Sequence, residues 1–396
     1  MTIGEVSLQA KERSELIAAL ERERKSKVLT YFLSDRRGSA AQIAEDAVRP
    51  MYDHLRAMGK ATKVDLFLYS VGGHTDVPWR IVSMIREVSR SFSVLVPYKA
   101  HSAATMIALG ADEIVMGPKG ELGPIDPQFQ IKRTGEGGTA VQEHIAIEDI
   151  MSYIRFIREK AGLTDQTALA GPIAALANKM EPWILGQANR AHSHIRLVAR
   201  KLLTARNKGQ APDEQRIQVI VETLAEKTYQ HGHAIGRQEA NEVGLNIVRP
   251  SEKVERLIWE LYETYEEMCK LRYPLDHQTF VPTGQDERKE NMLLGMIESV
   301  EIAHHFRADL VVRQRRQMPP QLTLNLNLNL QLPAGIQPDQ LPQATQQAAQ
   351  QVMQQLQQQA QALIQQEVRK QAPIAGLEVR VQDGAWQKVS DWPQKA

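Results

Sequence analysis

The sequence predicts an α/β fold built on a mostly parallel, buried sheet. Short apolar runs rich in β-branched and aromatic residues recur along the first third of the chain: VLTYFL (Val28–Leu33), VDLFLYS (Val64–Ser70), FSVLVP (Phe92–Pro97) and EIVMG (Glu113–Gly117). Segments with apolar residues at helical spacing separate them. The runs are continuously apolar rather than alternating, as expected of strands covered on both faces.

In chain order, Glu5 to about Lys27 reads as an amphipathic helix with Leu16, Ile17 and Leu20 on one face. After the first strand, Ile43, Ala47, Met51 and Leu55 recur at helical spacing despite Pro50. The second strand ends in a glycine pair, Gly72-Gly73, which leads into VPWRIVSMIREVSR, a second helix. The third strand is followed by SAATMIALGA, a third helix, and then by the fourth strand. This order implies βαβ units, whose chemistry sits in the loops after strand C-terminal ends. SVGGH and YKAHSA are both such loops.

From Ile147 to about Ala205 the pattern is helical, and DEQRIQVIVETLAEKTY continues it. GRQEANEVGL is a short helix closed by Gly244, and NIV a last strand. Glu252–Cys269 reads as a helix, and Glu287–Arg316 as another. Beyond Met318 the composition changes. Leu322, Leu324, Leu326, Leu328, Leu330 and Leu332 alternate with polar residues, a strand with one apolar face. A Gln-rich stretch then carries Ala349, Val352, Leu356, Ala360 and Leu363 along one helical stripe suited to a partner. GLEVRVQDGAWQKV reads as a hairpin turning at Asp383-Gly384. These shifts divide the chain into an N-terminal helix (1–27), a main domain (28–250), a helical extension (251–318) and a C-terminal α+β module (319–396).

Composition narrows the function. The 396 residues carry a net charge of +1 and only 5% aromatics, which argues against a nucleic-acid surface. A single cysteine, Cys269, leaves no disulfide framework or thiolate metal cluster. The N-terminus lacks signal-peptide character, and no apolar stretch reaches about 18 residues, so a cytoplasmic protein without a membrane span is expected. No phosphate-binding P-loop is present, so ATP dependence would need a separate unfoldase.

Ser102 stands among small residues at a strand-to-helix junction. A serine becomes a nucleophile only with a base to take its proton and donors to hold an oxyanion. The Ala103 N–H, at a helix start, and the Gly72-Gly73 backbone are suited to supply such donors. The competing reading is a helix-capping serine beside two turn glycines. AHSAA is not the G-x-S-x-G elbow of α/β-hydrolases.

Four motifs in one order sharpen the choice: YSVGGHT, AHSAATMIALGADEIVMGP, LGPIDPQ and HGHAIGRQEANEVGLNI. With them, Val28 to Val248 resembles the Clp/crotonase superfamily. Within it the chain resembles most the serine dehydrogenase proteinase family, relatives of the Clp peptidase subunit and signal peptide peptidase A. The resemblance implies a spiral of repeated ββα units. It implies Ser102 as nucleophile, with the Gly73 and Ala103 N–H groups as oxyanion hole. In the family's order of Ser, Asp and His, it implies Asp126 as the acid and His231 as the base. From their place in the glycine loop, Gly72 and His74 are candidates to line the substrate site, the competing reading of His74 being a loop residue facing solvent. The Clp peptidase itself has the order Ser, His, Asp, so His233, His101 and the lysines Lys119, Lys132 and Lys160 stay open as bases. No metal or cofactor is implied.

The expected activity is serine peptidase action on peptides or unfolded proteins, in a homo-oligomer, with the Gln-rich region as a contact for a partner such as an unfoldase. A crotonase-like acyl-CoA enzyme and a non-catalytic scaffold are the alternatives.

Overall fold

Every residue of Val28–Leu33 is buried, and this run lies inside the main sheet of the computed structural model. The structure describes residues 3–125, 128–134, 140–180, 182–206, 213–227, 232–317, 351–352, 354–364 and 372–393. Helix α1 (Ile3–Arg24) precedes strand β1 (Lys27–Leu33). Helix α2 (Val48–Met58) follows, with Pro50 in its first turn, where a missing N–H costs no intrahelical bond. Strand β2 (Ala61–Tyr69), helix α3 (Val77–Val88), strands β3 (Ser89–Val96) and β4 (Lys99–Ala100), and helix α4 (Ala103–Leu109) come next. Strands β5 (Glu113–Met116) and β6 (Glu121–Leu122) are followed by the antiparallel pair β7 (Gln128–Thr134) and β8 (Ala140–Ala146).

Helices α5 (Ile147–Arg155), α6 (Gln166–Lys179), α7 (Pro182–Ala205) and α8 (Glu214–Glu222) fill the expected helical stretch. Strand β9 (Ile235–Gly236), helix α9 (Arg237–Glu242), strand β10 (Ile247–Val248), and helices α10 (Glu252–Met268) and α11 (His277–Phe280) precede three long strands. These are β11 (Glu287–Glu298), β12 (Ala303–Arg316) and β13 (Ile374–Lys388).

The large sheet has the order β10-β5-β3-β2-β1-β11-β12-β13. From β10 to β1 all neighbours are parallel, and β11 joins β1 antiparallel. A second sheet has the order β4-β6-β9. Strands β3 and β5 thus lie in the large sheet while the strands that follow them, β4 and β6, lie in the small one. With α4 after β4, this is the ββα repeat expected of a mostly parallel α/β core.

One face of the large sheet is covered by α1 and α10. Ile17 and Leu20 of α1 and Ile258, Leu261 and Tyr265 of α10 pack on Val28, Phe32, Phe67 and Tyr69. A buried ionic network crosses this layer. Arg13 grips Glu298 with Nε and Nη2, each at 2.9 Å, and Tyr265 Oη donates to Glu298 Oε2 at 2.8 Å. His305 Nε2 lies 3.0 Å from Glu298 Oε1. Burial pushes the Glu298 carboxyl up, but Arg13 and His305 outweigh it and hold it at about 2. Beside it, His54 Nδ1 meets Ser299 Oγ at 2.9 Å, and its Nε2 meets His304 Nδ1 at 3.1 Å.

The chain forms two compact units: 1–274 with 293–308 and 384–396, and 275–292 with 309–383. In the second, Lys289 pairs with Asp309 at 2.7 Å, and the Gln317 N–H donates to Pro373 O at 2.9 Å. The chain therefore leaves β12 and re-enters β13 at one point.

Two expectations need correction. Glu287–Arg316 is not a helix but strands β11 and β12, joined through the Ser299–Ile302 turn. Its buried residues Ala308, Leu310 and Val312 follow a period of two, and Gly295 is pressed against Leu33 of β1, where a Cβ would stand 2.7 Å from Leu33 Cδ2. Likewise, Asp383-Gly384 makes no hairpin. It lies inside β13, where Asp383 takes a φ of +55°, as in a β-bulge. Residues 351–352 and 354–364 are helical, with Val352, Leu356 and Leu363 exposed. The leucine-alternating segment 322–332 lies outside the described residues.

Candidate active site

Ser102 links β4 to α4 with φ +50° and ψ −115°. Non-glycine residues rarely adopt this conformation, which costs about 1–3 kcal/mol and persists only where the surroundings impose it. Here they do. Ala104 N–H donates to His101 O at 2.9 Å and Met106 N–H to Ser102 O at 3.0 Å. All seven residues of α4 are buried. The helix packs so closely that a Cβ on Gly110, at its end, would stand 2.7 Å from Val82. Ser102 occupies the capping position, yet its side chain makes no capping hydrogen bond. The hydroxyl is half-buried and is not spent on closing the helix.

The glycine loop lies directly against this serine. Gly72 has φ +115°, and a Cβ there would stand 2.7 Å from Ser102 Cβ and 3.2 Å from its Oγ. Gly73 is zipped to Ile43: Ile43 N–H donates to Gly72 O, and His74 N–H to Ile43 O, both at 2.8 Å. A Cβ on Gly73 would meet Ile43 O at 2.2 Å. Gly72 N–H donates to Ser70 Oγ at 3.0 Å. The Gly73 and Ala103 N–H groups have no acceptor among the described residues. The His74 side chain is exposed.

The small sheet collects the remaining chain. Strand β4 runs parallel to β6, and β9 antiparallel to it, with Ala100 beside Leu122 and Leu122 beside Ile235. The ends of β4 and β6 and the start of β9 therefore share one edge. In sequence, Ser102 lies two residues beyond β4, Asp126 four beyond β6, and His231 four before β9. Asp126 and His231 themselves lie outside the described residues. The segment leading to Asp126 is tied to the serine helix: Thr105 Oγ1 donates to Ala100 O at 2.6 Å, lies 2.9 Å from Gly123 O and accepts from Gly123 N–H at 3.1 Å. Ile125 N–H donates to Leu224 O at 3.0 Å.

The other candidates have partners or lie apart. His101 Nε2 meets Glu121 Oε1 at 3.1 Å, and His233 Nε2 meets Glu239 Oε1 at 2.8 Å on an exposed surface. Lys119 Nζ sits 4.2 Å above the Tyr98 ring, Lys160 is exposed, and the Lys132 side chain lies outside the described residues. Asp112 binds Arg86 and the Phe92 N–H. Glu113 would be pushed up by burial, but Lys63 and Arg24 hold it at about 2. Both carboxylates are engaged in structural contacts. Sequence reasoning missed Ile43 as the clamp of the glycine loop. It also missed Asp35, which accepts from Tyr69 Oη and Lys99 Nζ, both at 2.7 Å. The sequence places Ile43 in a helical stripe with Ala47, Met51 and Leu55, but it lies ahead of α2 and bridges Gly73 instead; Asp35 stands in no patterned segment.

Residues 5–137 match the family model of ClpP-like SDH-type serine proteinases. An uncharacterized protein of Methanocaldococcus jannaschii, MJ0137, is 24% identical over 233 residues, or 59% of this chain and 68% of its own. Among solved structures, a serine-to-alanine mutant of the 1510-N membrane-bound stomatin-specific protease aligns at 16% identity and a TM-score of 0.32, covering 55% of this chain and 79% of its own. A point mutant of ClpP1 from Listeria monocytogenes aligns at 13% identity and a TM-score of 0.30, covering 59% and 99%. Among the described residues no helix is long and apolar enough to cross a membrane. The glycine loop and Ser102 both lie inside residues 5–137, the segment similar to the ClpP-like SDH-type serine proteinase family.

Proposed function

We propose that this chain is a serine peptidase that cleaves peptide bonds through an acyl-enzyme on Ser102. The observation that carries the reading is the Ser102 backbone, held at φ +50° with its hydroxyl free of any capping role. A strained serine at a strand-to-helix turn presents Oγ to a substrate, with the next N–H beside it.

In this reading Ser102 Oγ attacks the peptide carbonyl while a base takes its proton. The carbonyl oxygen gains negative charge and is held by the Gly73 and Ala103 N–H groups. The base then protonates the leaving amine, and water releases the acyl group by the reverse sequence. His231 is the base and Asp126 orients it. Support comes from the small sheet, which sends the chain toward all three residues from one edge. Gly72 forms the wall of the site packed directly against Ser102, and His74 lies at the exposed rim. The substrates are peptides or unfolded protein.

A fluorophosphonate probe tests this with the full chain. Ser102 should carry the adduct by mass spectrometry, and Ser102→Ala should carry none. His231→Ala and Asp126→Asn should label at least ~100-fold more slowly, the usual contribution of a general base. An unlabelled wild type would end the peptidase reading. A wild-type rate in His231→Ala would move the base to His101 or His233.

A further inference from the structure

Strand β13 ends the large sheet, and among the described residues its outer edge has no partner. An open strand edge is a template for another strand, and proteins usually blunt it with Lys, Pro or short length. Between Ala375 and Asp383 this strand has neither Lys nor Pro. Leu377, Val379 and Val381 share one face, and Glu378, Arg380 and Gln382 the other. Val379 and Val381 are 39% and 54% exposed, so their apolar face is only partly covered. On the inner side Glu378 faces Arg315 of β12 at 3.5 Å, and it also contacts Arg380.

The stretch Leu377-Glu378-Val379-Arg380-Val381 is self-complementary when read from either end. A two-fold interface requires this, because each patch meets its own copy. Centred on Val379, an antiparallel pair sets Val379 against Val379, Leu377 against Val381, and Glu378 against Arg380, twice over. Centring on Glu378 or Arg380 would oppose like charges. A shift that pairs even with odd positions would put charged residues opposite apolar ones. Only one local register satisfies both faces.

We propose that β13 pairs antiparallel with β13 of a second copy of this chain, across a two-fold axis through Val379, joining two sheets into one. This interface lies outside the segment that matches the proteinase family. It does not depend on the serine chemistry.

Sedimentation equilibrium of the full chain tests the proposal. Wild type should be a dimer or an assembly of dimers. Glu378→Arg and Arg380→Glu should each weaken association at least tenfold, and the double reversal should restore it. Val379→Pro should also weaken association. Val379→Lys, which keeps the backbone N–H, covers the case in which proline unfolds the strand. Val379→Cys should oxidise to a covalent dimer, with wild type as the blank because Cys269 is buried. A monomeric wild type at tens of micromolar would overturn the proposal. So would association untouched by these variants, or failure of the double reversal to restore it.

Discussion

Gly72 and Ser102 are in van der Waals contact, with no space for a single carbon between them: a Cβ on Gly72 would stand 2.7 Å from that of Ser102. The φ of +115° at Gly72 disfavours a side chain for a second reason. Gly72→Ala is therefore expected to move Ser102 out of its strained position. Probe labelling of Ser102 should fall at least ~100-fold, and the urea-unfolding free energy by about 1–3 kcal/mol. Labelling at the wild-type rate would show that the contact does not position the nucleophile.

Thr105 joins the serine helix to the segment entering Asp126 through one hydroxyl. Thr105→Val keeps the shape and removes the bonds, leaving the buried Gly123 N–H without its acceptor. Stability should drop by about 1–3 kcal/mol. The labelling rate should fall with the fold intact by circular dichroism, because the two sides of the site lose their tie.

Arg13 and Glu298 neutralise each other within the sheet layer, at 1% and 0% side-chain exposure. Arg13→Met strands a buried carboxylate. The expected loss is about 3–5 kcal/mol, read from chemical denaturation. Arg13→Met combined with Glu298→Gln should lose less than Arg13→Met alone, since the uncompensated charge is gone.

His54 is expected to make the fold acid-sensitive. Burial, then the neighbouring His304, lowers its pKa from 6.5 to about 3. The unfolded chain therefore takes up this proton first as pH falls. The stabilising contribution is complete above about pH 6.5 and drains away toward pH 3. Between pH 6.5 and 5 the group should cost ~2 kcal/mol of stability, at about 1.36 kcal/mol per unit. His54→Gln should be less stable at neutral pH and show a flatter dependence over that interval. An unchanged slope would place the acid sensitivity elsewhere.

The parallel strands were legible because burial on both faces writes itself as continuous apolar sequence, as in Val28–Leu33 and Phe92–Val96. Strands β11 and β12 were not. β11 is apolar only over its last half, and the charged residues around it, Lys289 and Asp309 among them, pair between strands rather than along a helix. Asp383-Gly384 carried a turn signal because the same left-handed preference serves a bulge. At the candidate site, the glycine pair and Ser102 could be read from their residue types. The strain at Ser102 and the clamp by Ile43 could not, because both arise from parts of the chain that meet only on folding.

The meeting of Gln317 with Pro373 gives the second unit a property of its own. Residues 318–372 begin and end at one doorway, so their length is decoupled from the spacing of the strands they connect. Doubling the length of a flexible connection costs only about 0.6 kcal/mol in closure entropy. The doorway is thus a natural graft point, where sequence can be shortened, lengthened or exchanged for foreign cargo while β12 and β13 keep their places.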